Sequence, residues 1–529
     1  MVKPRILLSS VFKPFGVDNI YSRKDSKIEL FHNQLTKYQD VFSMRTFMSS
    51  YGLHAIANNI EAPTTVLDFP GLRRFENEVA KGYDYVGISS IVPNFQKVKR
   101  MVELVREVSP RSKIIIGGFC AAVENLDKIM DVDHVCVGEG ISFMRELLGE
   151  APEFKFKNPD VFAESRELLG VPIFWVKNPH IITGLGCSYG CDFCSPSHFF
   201  SQHHIRYIKT GQELFDEMVR VTKRFGSTEI TFIGDDNFFM DMKRARELRD
   251  AVVKNGRMFN IFLFGSANLV MEFGIPELAE MGVYLIWIGR ESRFDPYPKN
   301  RKIDLKALLD ELRKHGIKTI LSSILFLDNH TQENIWEDID DHLACRPDFS
   351  QFAHYSPAPG TPLWERMKEE GRLLRDIPFE DCHAFKQPWF VHPQFSLLEA
   401  EKIQDKAYLR DFHELGPSLL RWIETDLIGY EHMIKSPRST LQKRAEFLAK
   451  NMKVYRILIQ AIERLALTPE MADNARELRT LLAGRFGSSD PLEKTLALGL
   501  TLFGLTRRAR TRLFGDAIQP RTRITYYNY

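Results

Sequence analysis

The segment GCSYGCDFC places Cys187, Cys191 and Cys194 within eight residues, directly after the apolar run HIITGLG. One loop at the end of a predicted strand can therefore turn all three thiols toward one centre. Structural zinc needs four ligands, and no further Cys or His stands at ribbon or finger spacing, although His198 lies four residues after Cys194. An iron–sulfur cluster held by three thiolates leaves one iron open to a small ligand. The pattern favours such a cluster over zinc.

Composition narrows the class of protein. A chain of 529 residues is too long for one core and predicts two to four domains. The formal net charge of +2 gives no indication of nucleic-acid binding. No apolar run approaches the roughly 20 residues that a membrane-spanning helix needs, and MVKPRILLSSVF predicts a first strand, not a signal peptide. Seven cysteines, three of them clustered, indicate a reducing, cytoplasmic setting.

Residues 1–150 alternate apolar runs with helical patterns. The runs end in glycine or polar residues, as buried parallel strands do, and the alternation predicts a Rossmann-like, doubly wound parallel sheet. Such sheets bind ligands at the carboxyl ends of their strands. Residues 151–178 are weakly periodic and predict a linker that packs on its neighbours. The strand candidates are RILLSSVF, TTVLDF, YDYVGISSI, SKIIIGGF and HVCVGEG.

A second alternating series spans 179–395. Its six strand–helix units predict a partial (β/α) TIM-type barrel, and their polar or Gly-rich ends lie where barrel enzymes place their sites. Beyond about 395 the strands are expected to stop. Apolar residues recur at spacings of four and three over 441–466, which predicts a one-faced helix. Residues 396–529 are therefore expected to form a helical C-terminal domain.

The cysteine spacing, with the aromatic Phe193 before the last cysteine, resembles the signature of radical S-adenosylmethionine (SAM) enzymes. The resemblance implies a [4Fe-4S] cluster on Cys187, Cys191 and Cys194, with SAM bound at the open iron. It further implies that SAM is cleaved reductively to a 5′-deoxyadenosyl radical, with electrons from an external flavodoxin or ferredoxin type of reductant. Because the cofactors carry the hard chemistry, no residue is assigned as a catalytic acid or base.

Two later segments resemble SAM-contacting segments of the same family. ITFIGDDNF resembles the segment after the second barrel strand that contacts the SAM amino group, so the resemblance gives this contact to Asp236, with Asp235 beside it. A pair of solvated helix-capping residues is the alternative. IGRES resembles a fourth-strand segment, which implies that Glu291 and Ser292 lie near the ribose or methionyl part of SAM.

The runs YVGISSIVPN, IIIGGF and VGEG, in this order, resemble the cobalamin-binding domain that precedes many radical SAM cores. The alternative is that the glycines only serve tight turns. The Asp-x-His-x-x-Gly motif that supplies a cobalt-ligating His in several cobalamin enzymes is absent from 1–150, so no such ligand is expected. The resemblance implies a corrinoid near Ser89, Ser90, Gly117, Gly118, Gly138 and Glu139.

The segment 491–515 joins an apolar stretch to a run of arginines, PLEKTLALGLTLFGLTRRARTRLFG. Such a helix can lie in a membrane interface, where cations meet anionic headgroups. It can equally be a buried helix with a solvated basic end. The first interpretation predicts peripheral contact with the inner face of the membrane and makes a lipid-like substrate attractive.

The first functional hypothesis is a cobalamin-dependent radical SAM enzyme that abstracts hydrogen from an unactivated carbon of a small molecule and transfers a methyl group to it. A second is a radical SAM lipid-modifying enzyme, for cyclisation or carbon–carbon joining, without bound cobalamin. A third, from another class, is a non-catalytic iron–sulfur sensor. The sequence does not identify the substrate, the product or the oligomeric state.

Overall fold

The computed structural model describes residues 3–23, 32–173, 176–226, 230–294, 297–374, 376–516 and 518–529. Residues 174 and 175 of the predicted linker lie outside this set. Up to residue 150 the elements are β1 (Ile6–Ser10), α1 (His32–Leu35), β2 (Arg45–Met48), α2 (Tyr51–Asn59), β3 (Thr64–Asp68), α3 (Leu72–Val79), β4 (Tyr85–Ser89), α4 (Phe95–Val108), β5 (Lys113–Gly117), α5 (Leu126–Ile129), β6 (His134–Val135) and α6 (Gly140–Leu147).

The elements between residues 151 and 395 alternate strand and helix from β12 onward. They are β7 (Phe162–Leu168), β8 (Val171–Pro172), β9 (Lys177–Ile182), β10 (Gly184–Leu185), α7 (Ser195–Phe199), β11 (Ile205–Arg206), α8 (Gly211–Phe225), β12 (Ile230–Gly234), α9 (Met242–Asn255), β13 (Asn260–Phe264), α10 (Ala267–Phe273), α11 (Ile275–Met281), β14 (Val283–Glu291), α12 (Leu305–Lys314), β15 (Lys318–Leu325), α13 (Asn334–Ala344), β16 (Phe349–His354) and α14 (Pro362–Glu369).

The remaining elements are six helices and one strand. They are α15 (Leu397–Leu415), α16 (Ser418–Met433), α17 (Ser439–Ala449), α18 (Met452–Leu465), α19 (Pro469–Phe486), α20 (Pro491–Phe514) and β17 (Arg523–Tyr527). Single 3-10 turns occupy Asp40–Phe42, Val92–Asn94, Phe119–Ala122, Phe238–Met240, Pro298–Asn300 and Phe379–Asp381.

The first sheet has the strand order β17-β3-β1-β4-β5-β6, and β3, β1, β4, β5 and β6 run parallel. Its central strands are mostly apolar because helices cover both faces, and Ile114 and Ile116 are fully buried. The predicted Rossmann-like sheet is confirmed. Ser89 pairs with Gly117 at its carboxyl end, which places the β4 and β5 exits side by side.

The second sheet has the order β16-β15-β14-β13-β12-β9-β7-β2, and the six strands from β9 to β16 are parallel. The predicted partial barrel is confirmed. The segment expected to be a linker supplies β7, which pairs antiparallel with β9 and with β2. A partial barrel leaves an edge with unpaired backbone groups, and these two strands cover it.

The C-terminal region is helical, as expected, but two details of the expectation are wrong. The single helix expected over 441–466 is two helices, α17 and α18, which meet at Lys450 and Asn451. The strands also do not stop at about 395, because β17 returns to the first sheet and pairs antiparallel with β3, with Ile524 opposite Leu67. This return covers the β3 edge of that sheet.

Candidate functional site

A cavity of about 520 Å³ lies at the carboxyl ends of β12 to β16. Its barrel wall is formed by the cysteine loop and the strand exits. Its opposite wall comes from the first sheet, through the segment after β4 and the turn after β5. The carboxyl ends of the strands of both parallel sheets thus face the same cavity. Parallel sheets bind their ligands at these ends. The residues from the first sheet are Ile91, Val92, Pro93 and Phe119.

Cys187, Cys191 and Cys194 all line this cavity. Their loop joins β10 to α7 and is held by local hydrogen bonds. The Ser197 hydroxyl donates to the Cys187 carbonyl at 2.7 Å, and His198 donates through Nε2 to the Cys191 carbonyl at 3.0 Å. Since that ring nitrogen is occupied by a carbonyl, His198 orients the loop and is not placed as a fourth metal ligand.

Cys191 is buried, and Cys187 and Cys194 are half-buried. Burial raises the pKa of Cys187, raises that of Cys191 to about 11 and raises that of Cys194 to about 12. The thiols are therefore protonated until a metal displaces the protons. Three adjacent sulfur donors suit iron, because soft thiolate ligands select iron–sulfur clusters and zinc, and the missing fourth protein ligand suits a cluster with one open iron.

Lys299 places a cation beside the thiols and was not identified from the sequence. Its ammonium lines the cavity and forms an ion pair with Glu291. Although burial alone lowers the pKa of Lys299, the charge of Glu291 and its hydrogen bond to the ammonium raise that pKa above its ordinary value. The amine therefore stays protonated and can offset the negative charge that three thiolates bring.

Asp192 clamps the cysteine loop to the barrel and was also missed. Its carboxylate accepts hydrogen bonds from the hydroxyls of Tyr297 at 2.8 Å and Tyr355 at 2.7 Å. Arg366 lies 3.6 Å from the same carboxylate, and the Leu363 N–H donates to the Asp192 carbonyl at 3.1 Å. The cluster loop is thus tied to the β14 and β16 exits and to α14.

The adjacent acids Asp235 and Asp236 have different surroundings. Asp236 lines the cavity, and its carboxylate accepts the Gly186 N–H at 2.5 Å; burial raises its pKa to about 6. Asp235 is turned into the protein, 2.7 Å from Arg244 and 3.0 Å from His204. Although burial alone raises the pKa of Asp235, these partners hold it below its ordinary value. The structure brings Asp236, and not Asp235, to the cavity wall.

The side chains of the adjacent residues Glu291 and Ser292 also lie in different surroundings. Glu291 lines the cavity at the end of β14, where its backbone has a φ of 62° and the register with β15 shifts. Ser292 lies behind the wall, where its hydroxyl is 3.3 Å from the His330 Nε2 and accepts the Phe294 N–H at 3.1 Å. A direct contact of Ser292 with a ligand stays a prediction.

The six residues expected near a corrinoid lie at the carboxyl end of the first sheet, behind the wall residues. Gly117 leaves open space, since a Cβ there would meet only that of Cys136, at 3.9 Å. Gly118 serves its turn, with a φ of 74° and the Ser90 carbonyl 2.4 Å from where a Cβ would stand. The Glu139 carboxylate caps α6 and accepts the Tyr207 hydroxyl at 2.5 Å. Contact of Ser89, Ser90, Gly138 and the other three with a corrinoid stays a prediction.

Part of the cavity wall is aromatic and uncharged. Phe264, Trp287 and Trp389 line it, together with His354 and His383. Burial lowers the pKa of each of these two imidazoles to about 3, so both are neutral at neutral pH. Apart from the ionic groups beside the cysteines, this cavity therefore favours an apolar occupant.

Comparisons with known proteins agree with this geometry. Residues 181–342 match the family described as the Radical SAM superfamily. The chain is 26% identical over 353 residues to bacteriochlorophyllide d C-12(1)-methyltransferase of Chlorobaculum tepidum, covering 62% of this chain and 75% of that protein. It is 25% identical over 220 residues to hopanoid C-2 methylase of Rhodopseudomonas palustris, covering 38% of this chain and 40% of that protein.

A solved structure supports the fold. The structure of TsrM from Kitasatospora setae with tryptophan substrate and a SAM analogue aligns with a TM-score of 0.52 at 15% sequence identity, covering 96% of this chain and 100% of that chain. At this identity the likeness supports the architecture: a parallel sheet, a radical SAM barrel and a C-terminal region in one chain.

Proposed function

Because this chain belongs to the radical SAM enzymes that carry a cobalamin-binding domain, we propose that it transfers a methyl group to an unactivated carbon. The match of residues 181–342 to the Radical SAM superfamily supports the expected [4Fe-4S] cluster and SAM, and the fold shared with a cobalamin-bound methyltransferase supports cobalamin as the third cofactor of the proposal. Relatives named as methyltransferases support methyl transfer over the two alternatives, a lipid-modifying enzyme without cobalamin and a non-catalytic sensor.

One observation carries the proposal. The cysteine loop and the exits of β4 and β5 face each other across a single cavity, so that Cys191 and Phe119 line the same space. A sensor needs only the cluster loop, whereas methylation needs SAM, substrate and methyl donor to meet. The fold supplies that meeting point between its two parallel sheets.

The bound groups supply an electron, a 5′-deoxyadenosyl radical and a transferable methyl group, and the chain holds and shields them. The three cysteines bind the cluster. Asp236 accepts a hydrogen bond from the SAM amino group, and Glu291, kept in place by Lys299, faces the ribose or methionyl part. Asp235 supports Asp236 from behind through its ion pair with Arg244. Ser292, which is held by His330 and the Phe294 N–H, fixes the backbone directly after Glu291.

On the opposite side, the proposal places the corrinoid over the glycine turns of the first sheet. Ser89, Ser90, Gly117, Gly118, Gly138 and Glu139 form the floor of that site. Ile91, Pro93 and Phe119 would then border the space in which corrinoid and substrate meet, and these apolar side chains would exclude water from the reacting carbon. Exclusion of water protects a reactive radical from side reactions.

The substrate we propose is a small, lipid-like molecule. The aromatic wall and the neutral imidazoles suit an apolar ring system, and two relatives carry names of large apolar polycycles, bacteriochlorophyllide and a hopanoid. We further propose that a flavodoxin- or ferredoxin-type protein donates the electron. No helix among the described residues is long and apolar enough to span a membrane, and the proposed location is the cytoplasm, with peripheral contact at the inner face of the membrane through 491–515.

Anaerobic turnover tests the proposal. Protein that is reconstituted with iron, sulfide and methylcobalamin and supplied with SAM should release 5′-deoxyadenosine under reduction, and should methylate a polycyclic or isoprenoid lipid in an extract. Cys191→Ala, which removes one cluster ligand, should abolish both products. Cys345→Ala is the matched control, because that buried cysteine lies away from the cavity wall. 5′-Deoxyadenosine without any methylated product would reject methyl transfer, and release by Cys191→Ala would reject the cluster assignment.

A further inference from the structure

Helix α20 packs with its small side chains inward. The positions it buries include Ala497, Thr501 and Gly504. Gly504 lies so close to α18 that a Cβ there would stand 2.5 Å from the Cδ1 of Leu465. An ordinary amphipathic helix buries its large apolar residues instead. This reversal excludes the interpretation of 491–515 as a buried apolar helix.

The outward face of α20 carries the large apolar side chains. Eight of them are between 45% and 76% exposed, and solvent-facing apolar residues at this density mark an interaction surface. We call this the apolar face of α20. Its residues are Leu492, Leu496, Leu498, Leu502, Phe503, Leu505, Leu513 and Phe514.

Ion pairs prevent α20 from rotating to bury that face. Glu493, at the start of the helix, is buried and pairs with Arg456 at 2.6 Å. Arg507 pairs with Glu167 at 2.7 Å and with Asp516 at 2.8 Å. Arg508 pairs with Asp40. Since breaking a buried pair leaves a charge without its partner, which is strongly destabilising, the helix is fixed with its apolar face outward.

The exposed charges of α20 all have one sign. Lys494, Arg510 and Arg512 are exposed beside the apolar face. The only acid in Pro491–Phe514, every residue of which the structure describes, is the buried Glu493. A second copy of this face would bring cations against cations without a counter-charge. An anionic lipid surface supplies both the apolar medium and the negative charge.

We propose that α20 is a membrane-interface helix that lays its apolar face into a bilayer containing anionic lipid, with Lys494, Arg510 and Arg512 at the phosphate level. The helix lies on the membrane and does not cross it. This proposal sharpens the peripheral contact included in the proposed function, and lipid binding is measured without turnover, so that either can fail alone.

Flotation with liposomes tests it. The reconstituted full chain should float with vesicles of phosphatidylcholine and phosphatidylglycerol at 7:3, and much less with phosphatidylcholine alone. Leu502→Gln/Phe503→Gln should lower the bound fraction at least tenfold. Met271→Gln/Leu398→Gln is the matched control, because these residues are 52% and 60% exposed, as Leu502 and Phe503 are 57% and 55%, and it should bind like the unchanged protein.

A separate variant tests the contribution of the exposed cations of α20 to binding of anionic lipid. Arg510→Gln/Arg512→Gln should lose about thirtyfold in binding to the anionic vesicles and little in binding to neutral ones, since it removes two juxtamembrane cations that contribute about 1 kcal/mol each. Unchanged flotation of Leu502→Gln/Phe503→Gln would overturn the proposal. So would a protein that binds no vesicles and instead forms dimers that this double substitution dissociates. Circular dichroism and the Tm of each variant exclude unfolding as the cause.

Discussion

The two parallel sheets direct their carboxyl ends at one cavity but furnish it with opposite kinds of side chain. The barrel end carries three thiols, two carboxylates and an ammonium group, each with a partner or a proposed ligand. Among the described residues, the first sheet contributes only apolar side chains, one of them a proline, to the wall of the cavity. The difference teaches how one arrangement of parallel strands could serve the two proposed tasks: the barrel end would hold the small charged cofactors, and the first sheet would offer an apolar surface to a large flat one.

The barrel end depends on a clamp, and removing that clamp is the largest change we predict. Asp192→Ala deletes the carboxylate that accepts from Tyr297 and Tyr355. Hydrogen bonds to a charged group contribute about 1.5–3 kcal/mol each, so cluster content and 5′-deoxyadenosine formation should fall at least tenfold. Iron and sulfide analysis and electron paramagnetic resonance of the reduced cluster measure the loss.

Two milder variants control for this loss. Tyr297→Phe removes one of the two hydroxyl donors and should have a smaller effect, and Asp192→Asn keeps one carbonyl acceptor and should fall between. An Asp192→Ala protein with a full cluster and an unaltered resonance spectrum would show that the loop holds its shape unaided.

For the apolar wall of the first sheet we expect the opposite pattern, in which methylation is lost and SAM cleavage is kept. Phe119→Ala removes the aromatic ring that the first sheet contributes to the cavity. It should lower methylation about tenfold because water and misplaced substrate can then enter, yet it should leave 5′-deoxyadenosine formation within about twofold. Product analysis by mass spectrometry gives the ratio of the two.

Phe199→Ala is the comparison variant. Phe199 packs against Phe119 with ring centroids 5.1 Å apart but does not line the cavity, and its loss should change the ratio less. Equal losses of both products in Phe119→Ala would mean that the two ends do not divide the work in this way.

The smallest effect we predict is a pH dependence that belongs to the barrel end alone. Burial raises the pKa of Asp236 to about 6. The anion that accepts from the SAM amino group is therefore present above this value and lost as the pH falls through it. SAM affinity should fall about fourfold from pH 7.5 to 5.5, since at pH 5.5, about half a unit below this pKa, about a quarter of the group stays ionised.

Equilibrium dialysis of SAM at both pH values measures this dependence. Asp236→Asn should bind SAM more weakly and with little change over the same range. Corrinoid binding should show no such step. A fourfold loss of SAM affinity in Asp236→Asn between the two pH values would assign the titration to another group.

Local patterns predicted much of this molecule. Apolar runs and their alternation with helical patterns predicted both parallel sheets, since a buried strand is a run of consecutive apolar residues, such as Ile114 to Ile116. The cysteine spacing predicted the loop at a strand end. The outward orientation of α20 could not be predicted, because its hydrophobicity is the same whether the large side chains face in or out.

Other features depend on contacts between distant segments. Asp192 and Lys299 look like surface residues in the sequence, and only the β14 and β16 exits bring Tyr297, Tyr355 and Glu291 to them. Asp235 and Asp236 are adjacent and chemically identical, and the partners Arg244 and His204, which contact only Asp235, make their surroundings different. No periodicity indicates that β17 pairs with β3.

That last pairing has a consequence for biosynthesis. Tyr527 pairs with Thr64, so β3 is synthesised several hundred residues before β17, its outer neighbour in the sheet. At about 5–20 residues per second, the interval between the two strands is on the order of a minute. Throughout that time the nascent first sheet presents a row of unpaired backbone groups, which other chains can join. The growing polypeptide therefore exposes a strand edge that a chaperone can protect. All strands of the barrel are synthesised before β17 completes the first sheet.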